Sequence, residues 1–326
     1  MSYLQFNLIE ASDFNLLAWG TTSGGTYTTS SNNVAYIHGI GFSRYGYGQS
    51  TSAYTQAAVA STVTAAQWTG VINGINSSLS LQGQSNIAPA GVTAGDTITY
   101  VAAIQTGINT AWTQANAGAA GSRTNGTAST ANGTTNWGGN AERRQRFDFT
   151  CTWPNADAAR YWWNAGGRLA ITCSLVTGGT TRNSDWSTLA AAVGTIIIGY
   201  NTTTKSGGSG STETIRTTAG TGGFWLGTSV GGSHPGTSTL QFRQYSPNAP
   251  YTLDHIAVTT TFTGTTANGG FPVMNIIVDW ENDYTSTFQQ TVGNAPTVVV
   301  TPQNPVATAF GTALVAPTIT VVAADQ

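Results

Sequence analysis

A strand–helix–strand pattern between Phe147 and Ser174 constrains the fold of this chain more than any other stretch. Apolar and polar residues alternate from Phe147 to Trp153, with the two-residue period of a half-buried strand. Asn155 then provides a good helix N-cap, and the Gly166-Gly167 pair ends the helix that follows. Alternation resumes from Arg168 to Ser174. The stretch is therefore predicted to be a packing unit without catalytic chemistry.

Charged residues are scarce. They make up 7% of the 326 residues, against roughly a quarter in an ordinary soluble domain. Ten Trp, twelve Tyr and eleven Phe are enough to form a core and argue against disorder. A surface with so few charges is poorly protected against association, which favours a subunit of a permanent assembly over a free enzyme. The net charge of −2 gives no footprint for nucleic acid or for an anionic membrane.

The chain opens without the basic and apolar regions of a secretory signal. No apolar run approaches the length that spans a bilayer, so no membrane insertion is expected. Cys151 and Cys173 face the same way on the two strands that flank the central helix. A disulfide is possible if those strands are neighbours, whereas the missing signal favours two reduced core thiols.

The first half of the chain is predicted to contain two segments. Residues 1–60 form a glycine- and tyrosine-rich segment or arm, in which Tyr45 and Tyr47 suit contact with another subunit or a sugar, or packing within a surface loop. Residues 61–140 form a helical hairpin followed by a glycine-rich linker. Thr64 opens the first helix with a capping box, and the second begins near Asp96. The linker is either a tether or ordered only against a neighbour.

The second half is predicted to contain a β-rich domain, 141–295, and an extended C-terminal arm, 296–326. Strand and helix alternate as far as residue 200, with helices lying across one face of a sheet. One of these helices is predicted to begin at Ser184-Asp185, with Trp186, Leu189 and Val193 on its apolar face. Residues 256–262 and 274–280 pair as a hairpin. Prolines cut the C-terminal arm into short runs that have no partner nearby in sequence. The fold class is therefore α+β, mainly antiparallel β, with a few short helices packed on one face and extended terminal arms.

Few residues suggest site chemistry. His38, His234 and His255 are scattered without metal-ligand spacing, and no nucleotide-binding or nucleophile motif occurs. The clustered acids Asp279, Glu281 and Asp283 share one face of a strand. They suit a calcium ion or a glycosidase-like pair, or more simply a solvent face opposite an apolar one. The basic run of Arg143, Arg144 and Arg146 is expected to form a solvated or inter-subunit salt-bridging turn.

Four stretches together resemble a group of tailed-phage virion structural proteins: VTAAQWTGVINGINSSLSLQG, AGDTITYVAAIQTGIN, FTCTWPNADAARYWWNAGGRLAITCSL and SDWSTLAAAVGTIIIGY. These proteins occur in phages of cyanobacteria and other bacteria and are described as tail or tail-fibre proteins. The resemblance covers about residues 60–285, and NADAARYWWNAGG is its most specific piece. It implies a non-enzymatic component of the phage particle, present in several copies.

The sequence thus predicts a structural subunit of a tailed-phage virion, in a tail, fibre or baseplate position, assembled in the bacterial host cytoplasm. The alternatives are a receptor- or glycan-binding fibre protein and a head decoration or neck protein. Its partners would be copies of itself and other virion proteins, with a host surface glycan as a further candidate, and no catalytic residue, metal or cofactor is expected. Apolar and aromatic side chains are the interface candidates: Tyr45, Tyr47, Trp163, Val298, Val300, Ile319 and Val321.

Overall fold

Antiparallel sheet dominates the computed structural model of this chain. It describes residues 11–19, 22–23, 26–27, 34, 56–58, 61–87, 93, 101–120, 122–139, 144–199, 203–209, 213–215, 238–263, 271–282, 290–305 and 314–325. These residues form five helices and fourteen strands. Every pairing between these strands is antiparallel. The predicted class, α+β with dominant antiparallel sheet, is confirmed.

The helices are α1 (Ala11–Trp19), α2 (Ala65–Leu81), α3 (Val101–Ala120), α4 (Ala156–Asn164) and α5 (Thr181–Val193). The strands are β1 (Thr22–Ser23), β2 (Thr26–Tyr27), β3 (Arg123–Asn125), β4 (Ser129–Asn132), β5 (Arg144–Thr152), β6 (Arg168–Ser174), β7 (Thr195–Ile198), β8 (Thr203–Ser206), β9 (Glu213–Ile215), β10 (Thr239–Tyr245), β11 (His255–Thr263), β12 (Val273–Glu281), β13 (Thr297–Pro305) and β14 (Thr318–Asp325).

The chain divides into two compact units, with a boundary at Ser122/Arg123 that falls inside the segment predicted as 61–140. In the first unit α2 and α3 form the predicted helical hairpin. The capping box at Thr64 is present, with both of its hydrogen bonds to Gln67. Gly107 allows the helices to approach closely, because a Cβ atom there would lie 2.8 Å from Ile75 Cγ2.

The described part of the N-terminal segment is folded into the first unit and is not an arm. Phe14 of α1 is buried and meets the ring of Trp68 edge-on, with centroids 5.2 Å apart. The Asn15 side chain donates to the carbonyl of Ala57 at 2.8 Å and accepts from its N–H at 2.9 Å. This pair of hydrogen bonds ties residues 42 positions apart, so the predicted arm is wrong for this part of 1–60.

The second unit contains two sheets. Sheet 1 has the strand order β14-β5-β12-β11-β10-β9. β11 and β12 pair over their full length as the predicted hairpin, with Val258 opposite Val278. Val278 in turn lies opposite Phe147 of β5. All three side chains are fully buried, so the alternating residues of these strands build one apolar face.

Sheet 2 has the order β3-β13-β6-β7-β8, and β4 also pairs with β13. The predicted C-terminal arm is therefore wrong for Thr297–Pro305, which is an inner strand between β6 and the β3/β4 pair. The glycine-rich segment predicted as a linker supplies β3 and β4. It is ordered against its own chain, not against a neighbouring one.

Pro302 is tolerated in an inner strand because the strand beside β13 changes from β4 to β3 at this position. β4 pairs with Thr297–Val300 and β3 pairs with Gln303–Pro305. The Pro302 carbonyl accepts from the Gly126 N–H at 2.7 Å, in the turn between the two partners. A residue's N–H and C=O point to the same side of a strand, so the missing N–H of Pro302 faces this break in the ladder.

Hydrogen bonds join the two sheets at two corners. Thr203 Oγ1 on β8 donates to Gln241 Oε1 on β10 at 2.8 Å. Ser129 Oγ on β4 donates to the Ile319 carbonyl on β14 at 2.8 Å. α5 contacts β6 of sheet 2 and both β10 and β11 of sheet 1. The second unit is thus a two-sheet sandwich, in which α5 packs against strands of both sheets.

The predicted strand–helix–strand unit forms, but its two strands belong to different sheets: β5 lies in sheet 1 and β6 in sheet 2. The Asn155 side chain caps α4 by accepting from the Ala158 N–H at 2.8 Å. The buried residues of α4 are Ala159, Trp162 and Trp163. A Cβ at Gly167 would lie 2.3 Å from the Trp162 ring, so the helix can end there only on glycine.

Candidate functional site

A buried arginine organises one end of the second unit. Arg182 lies in the first turn of α5, and its side chain is 0% exposed. Its Nη2 donates to Asp254 Oδ2 at 2.6 Å and also to Asn282 Oδ1. Its guanidinium carbon lies 4.6 Å from the centre of the Tyr251 ring, within cation–π distance. Arg182 therefore connects α5 to the loop before β11 and to the end of β12.

Asp185, one turn later on α5, holds the same loop. Its Oδ1 accepts from Ser246 Oγ at 2.8 Å and from Asn248 Nδ2 at 2.9 Å. The Ser246 N–H donates to the Asp254 carbonyl at 2.8 Å, which closes the two ends of loop 246–254. Burial raises the pKa of Asp185, while the two hydrogen bonds and the charge of Arg182 act in the opposite direction.

Asparagines extend this network to three more segments. Asn282 Nδ2 donates to the Gly138 carbonyl at 2.7 Å. Asn183 Nδ2 donates to the Val176 carbonyl at 2.8 Å, and Asn183 Oδ1 accepts from the Asn294 N–H at 3.2 Å. We call the segments held this way the loop end of the second unit: residues 133–139, 175–180, 246–254 and 290–296. The network fixes the positions of loops that neither sheet pairs.

The network is enclosed by the fold. Arg182, Asp254 and Asn282 are at most 1% exposed and Asp185 is 4% exposed. Trp186, the residue after Asp185, is fully buried and stacks on Trp280 with centroids 5.6 Å apart. Because these groups are buried, the arrangement suits positioning of the loops and not turnover of a substrate. Removing one partner of such a buried ion pair typically destabilises a fold by about 3–5 kcal/mol.

Sequence reasoning missed this network, although one signal was present. The residues 182, 186, 189 and 193 fall on a single helical stripe, so Arg182 shares the predicted apolar face of Trp186, Leu189 and Val193. We predicted that this helix begins at Ser184-Asp185, whereas it begins at Thr181 with Thr180 as N-cap. The predicted start at Ser184 placed Arg182 in the preceding loop, where an arginine is expected to be exposed.

A charged row covers the outer face of sheet 1. Arg144 pairs with Asp279 at 2.6 Å and Arg146 with Asp148 at 2.7 Å. His255 Nε2 lies 3.5 Å from Glu281 Oε2. The prediction of a solvated or inter-subunit turn is wrong for Arg144 and Arg146, which lie on β5 and pair within the chain.

The clustered acids take the simpler of the predicted arrangements. Asp279 and Glu281 lie on the face of β12 opposite Met274, Ile276, Val278 and Trp280, as predicted, but Asp279 is only 9% exposed and is not a solvated side chain. Arg143 and Asp283 lie outside the described residues. In the part of the chain that the structure describes, no group of three or more His, Cys, Asp or Glu residues could hold a metal ion.

The predicted interface residues separate into three groups. Tyr45 and Tyr47 lie outside the described residues. Trp163, Val298 and Val300 are 0% exposed in the core of the second unit, so they cannot meet another chain and that prediction is wrong. Their burial follows from the stripe of α4 and from the inner position of β13. Ile319 and Val321 lie on β14, where Ile319 is half-buried and Val321 is 39% exposed.

β14 is the strand that leaves apolar surface uncovered. Among the described strands it is the outer strand of sheet 1 and pairs with β5 alone, while its Ile319 carbonyl accepts a hydrogen bond from Ser129 of β4. Val322, at an irregularity in the register, is 64% exposed, and Val315 just before the strand is 47% exposed. We call Val315, Ile319, Val321 and Val322 together the β14 edge. An outer strand with exposed valines is a template for pairing with another chain.

The tryptophan rings do not form an external platform in the described part of the chain. Trp153, Trp162 and Trp163 make one buried group, with centroids 4.8–5.6 Å apart. Trp137, Trp186 and Trp280 make a second, and all six rings are at most 1% exposed. These aromatic residues stabilise the core of this chain itself. They are not available for stacking on a sugar.

Cys151 and Cys173 are both free and buried. Since β5 and β6 belong to different sheets, the condition for a disulfide, that the two strands be neighbours, does not hold. Burial raises the pKa of the Cys173 thiol to about 12 and raises that of Cys151 further. The reduced alternative is the one that the structure contains.

Comparison with known protein families, with curated proteins and with solved structures finds no match for this chain. None of the helices that the structure describes is long and apolar enough to cross a membrane. The class that the fold itself defines is α+β and mainly β, with a two-sheet antiparallel sandwich as its second unit.

Proposed function

We propose that this protein is a non-enzymatic structural subunit that acts by associating with other protein chains, and that its place is in a tailed-phage virion, in the tail. The observation that carries the association is the β14 edge. Among the described strands β14 has a partner on one side only, and it exposes valines on a chain with only 7% charged residues. The phage assignment depends on the resemblance of four stretches between residues 60 and 285.

The chemistry of the edge favours association by strand addition. An added strand gains backbone hydrogen bonds along β14 and covers the exposed side chains of Val321 and Val322. Monomeric proteins usually protect such an edge with lysine, proline or a covering loop. On β14 the residues Thr318–Ala324 carry no charge. Many weak edge contacts repeated in one particle give a strong assembly through multivalency.

The competing function, a receptor- or glycan-binding fibre, gains no support from the described residues. A sugar-binding surface calls for exposed aromatic rings beside polar loops. The Trp residues that the structure describes with their side chains are buried: Trp68, Trp137, Trp153, Trp162, Trp163, Trp186 and Trp280. The loop end does present Val176 and Leu253, which are 72% and 51% exposed, but neither is aromatic.

The test is self-association of the purified protein, measured by sedimentation velocity over a wide concentration range. We expect concentration-dependent oligomers for the wild type. The double variant Val321→Lys/Val322→Lys should weaken them at least tenfold, because lysines on an outer strand oppose strand addition. Val176→Lys, which adds a charge at the loop end, is the matched control and should associate like the wild type. A wild type that stays monomeric throughout, or a double variant that associates as tightly, contradicts the proposal.

A further inference from the structure

Among the described residues, the buried network around Arg182 contains one basic and two acidic side chains. Arg182 contributes one positive charge, whereas Asp185 and Asp254 contribute one negative charge each when ionised. All three side chains belong to residues that are at most 4% exposed. Ser246 and Asn248, which bond to Asp185, and Asn282, which bonds to Arg182, are neutral. Burying a net charge in a protein interior is costly unless a proton or a partner neutralises it.

The hydrogen bonds show which of the two carboxylates is paired with Arg182. Arg182 Nη2 donates to Asp254 and Asn282. Asp185 receives its hydrogen bonds from Ser246 and Asn248 instead, both on Oδ1. Its Oδ2 is buried and has no hydrogen-bond donor among the described residues. Asp254 is therefore the paired carboxylate, and Asp185 is the one whose ionised form is poorly compensated.

Among the described groups that face Asp185, Arg182 is the cation. Arg182 lies one turn away on the same helix, and its charge favours the ionised form of Asp185. From the loop, Asp254 adds a second negative charge to the network, and Tyr251 presents its ring to Arg182. His255, the next residue along the chain, approaches Glu281 on β12. Burial outweighs the Arg182 charge and raises the pKa of Asp185.

We propose that Asp185 is a proton-binding site of the folded protein, and that loop 246–254 is held most firmly to α5 when this proton is bound. When Asp185 is protonated, the described part of the network carries one positive charge, that of Arg182, and one negative charge, that of Asp254. Asp185 Oδ1 keeps its two hydrogen bonds from the loop in either state, so protonation removes the buried excess charge without removing a contact. As the pH rises and the proton leaves, the uncompensated charge weakens the attachment of the loop.

The direction of the pH dependence follows from linkage. In the unfolded chain Asp185 has the ordinary aspartate pKa of about 3.9, and folding raises it. The folded protein therefore binds the proton more tightly than the unfolded chain does. The stability that this proton contributes is fully present below about pH 3.9 and is lost as the pH rises through the raised pKa of the folded state.

Asp185→Asn is the diagnostic variant, because its side-chain oxygen still accepts from Ser246 and Asn248 but cannot ionise. Urea unfolding midpoints are measured for both proteins from about pH 4 to about pH 8. We expect the wild-type midpoint to fall relative to that of Asp185→Asn as the pH rises. The slope of the difference should correspond to at most one proton. Asp148→Asn, on the outer face of sheet 1, is the control and should not show this relative fall.

Parallel curves for the wild type and Asp185→Asn overturn the proposal, as does a wild type that gains relative stability with rising pH. A second measurement covers the case in which the variant does not fold. Carbon-13 NMR of wild-type protein labelled at the aspartate carboxyls should show one buried carboxyl that titrates above about pH 3.9. Hydrogen exchange, corrected for its intrinsic pH dependence, should accelerate in 246–254 over the same interval. A set of carboxyls that all titrate at or below the ordinary value also overturns it.

Discussion

Two strands from the C-terminal region, β13 and β14, have similar sequences and opposite surroundings. Thr297–Thr301 reads TVVVT and Thr318–Val322 reads TITVV. Val298 and Val300 are 0% exposed, whereas Val321 and Val322 are 39% and 64% exposed. β13 has partners on both sides and its alternate residues face the core. Within the described residues β14 has a partner strand on one side only, and its valines are incompletely covered by protein.

The comparison teaches that the burial of a strand depends on its partners and not on its own composition. Val298 lies opposite Cys173 of β6 and also opposite Ala131 of β4. Those partners lie more than 120 residues earlier in the chain. Nothing within either short apolar run distinguishes an inner strand from an outer one, and both were predicted to be parts of one arm.

The largest effect should come from placing a charge in each strand. Val300→Asp buries an unpaired carboxylate between two partner strands and should destabilise the second unit by at least about 4 kcal/mol, or prevent its folding. Val322→Asp should change the free energy of unfolding by less than about 0.5 kcal/mol, because that side chain is largely in water. Urea unfolding followed by tryptophan fluorescence measures both. Similar losses of unfolding free energy in the two variants would contradict the assignment of β13 as an inner strand and β14 as an outer one.

Truncation to alanine should give a smaller contrast of the same sign. Val300→Ala removes two buried methyl groups and leaves a cavity, at a cost of about 2 kcal/mol. Val321→Ala removes the same atoms from a position that is 39% exposed and should cost less than about 1 kcal/mol. The difference between the two unfolding free energies is the measurement. A loss at Val321 as large as that at Val300 would show that β14 is covered in solution.

The smallest effect should follow from Ser129→Ala, which tests the contact between β4 and β14. Ser129 Oγ donates to the Ile319 carbonyl and links β4 to β14. Losing this half-buried hydrogen bond should cost about 0.5–1 kcal/mol. Hydrogen exchange should accelerate in β14 more than in β13. Ser184→Ala, on the exposed side of α5, is the control, and equal acceleration in both strands contradicts the expected local effect.

Local features of this fold could be predicted from the sequence because their causes are local. Asn155 caps α4, Thr64 forms its capping box, and the alternation of β11 and β12 places the hairpin correctly. The helix α5 was also predicted, with Trp186 and Leu189 on its buried face, although its start was placed at Ser184 and not at Thr181. Each of these depends on residues within one turn, or on two strands that follow each other in sequence.

Features that depend on distant pairing could not be predicted in this way. Pro302 was interpreted as a break in an arm, because a proline normally excludes an inner strand. Its tolerance comes from the change of partner between β4 and β3, about 170 residues earlier in the chain. The Arg182–Asp254 pair likewise joins residues 72 positions apart, although the helical stripe of Arg182 was a usable signal.

The burial of the two native thiols, Cys151 and Cys173, has a consequence for chemical labelling. Cys151 is 0% exposed and Cys173 8% exposed, and burial raises the pKa of both thiols, so both react slowly with maleimides at neutral pH. An engineered cysteine in place of Val322 would therefore be the preferred point of attachment for a dye or a cross-linker. Distances between labelled copies would then report directly whether two outer strands meet in solution.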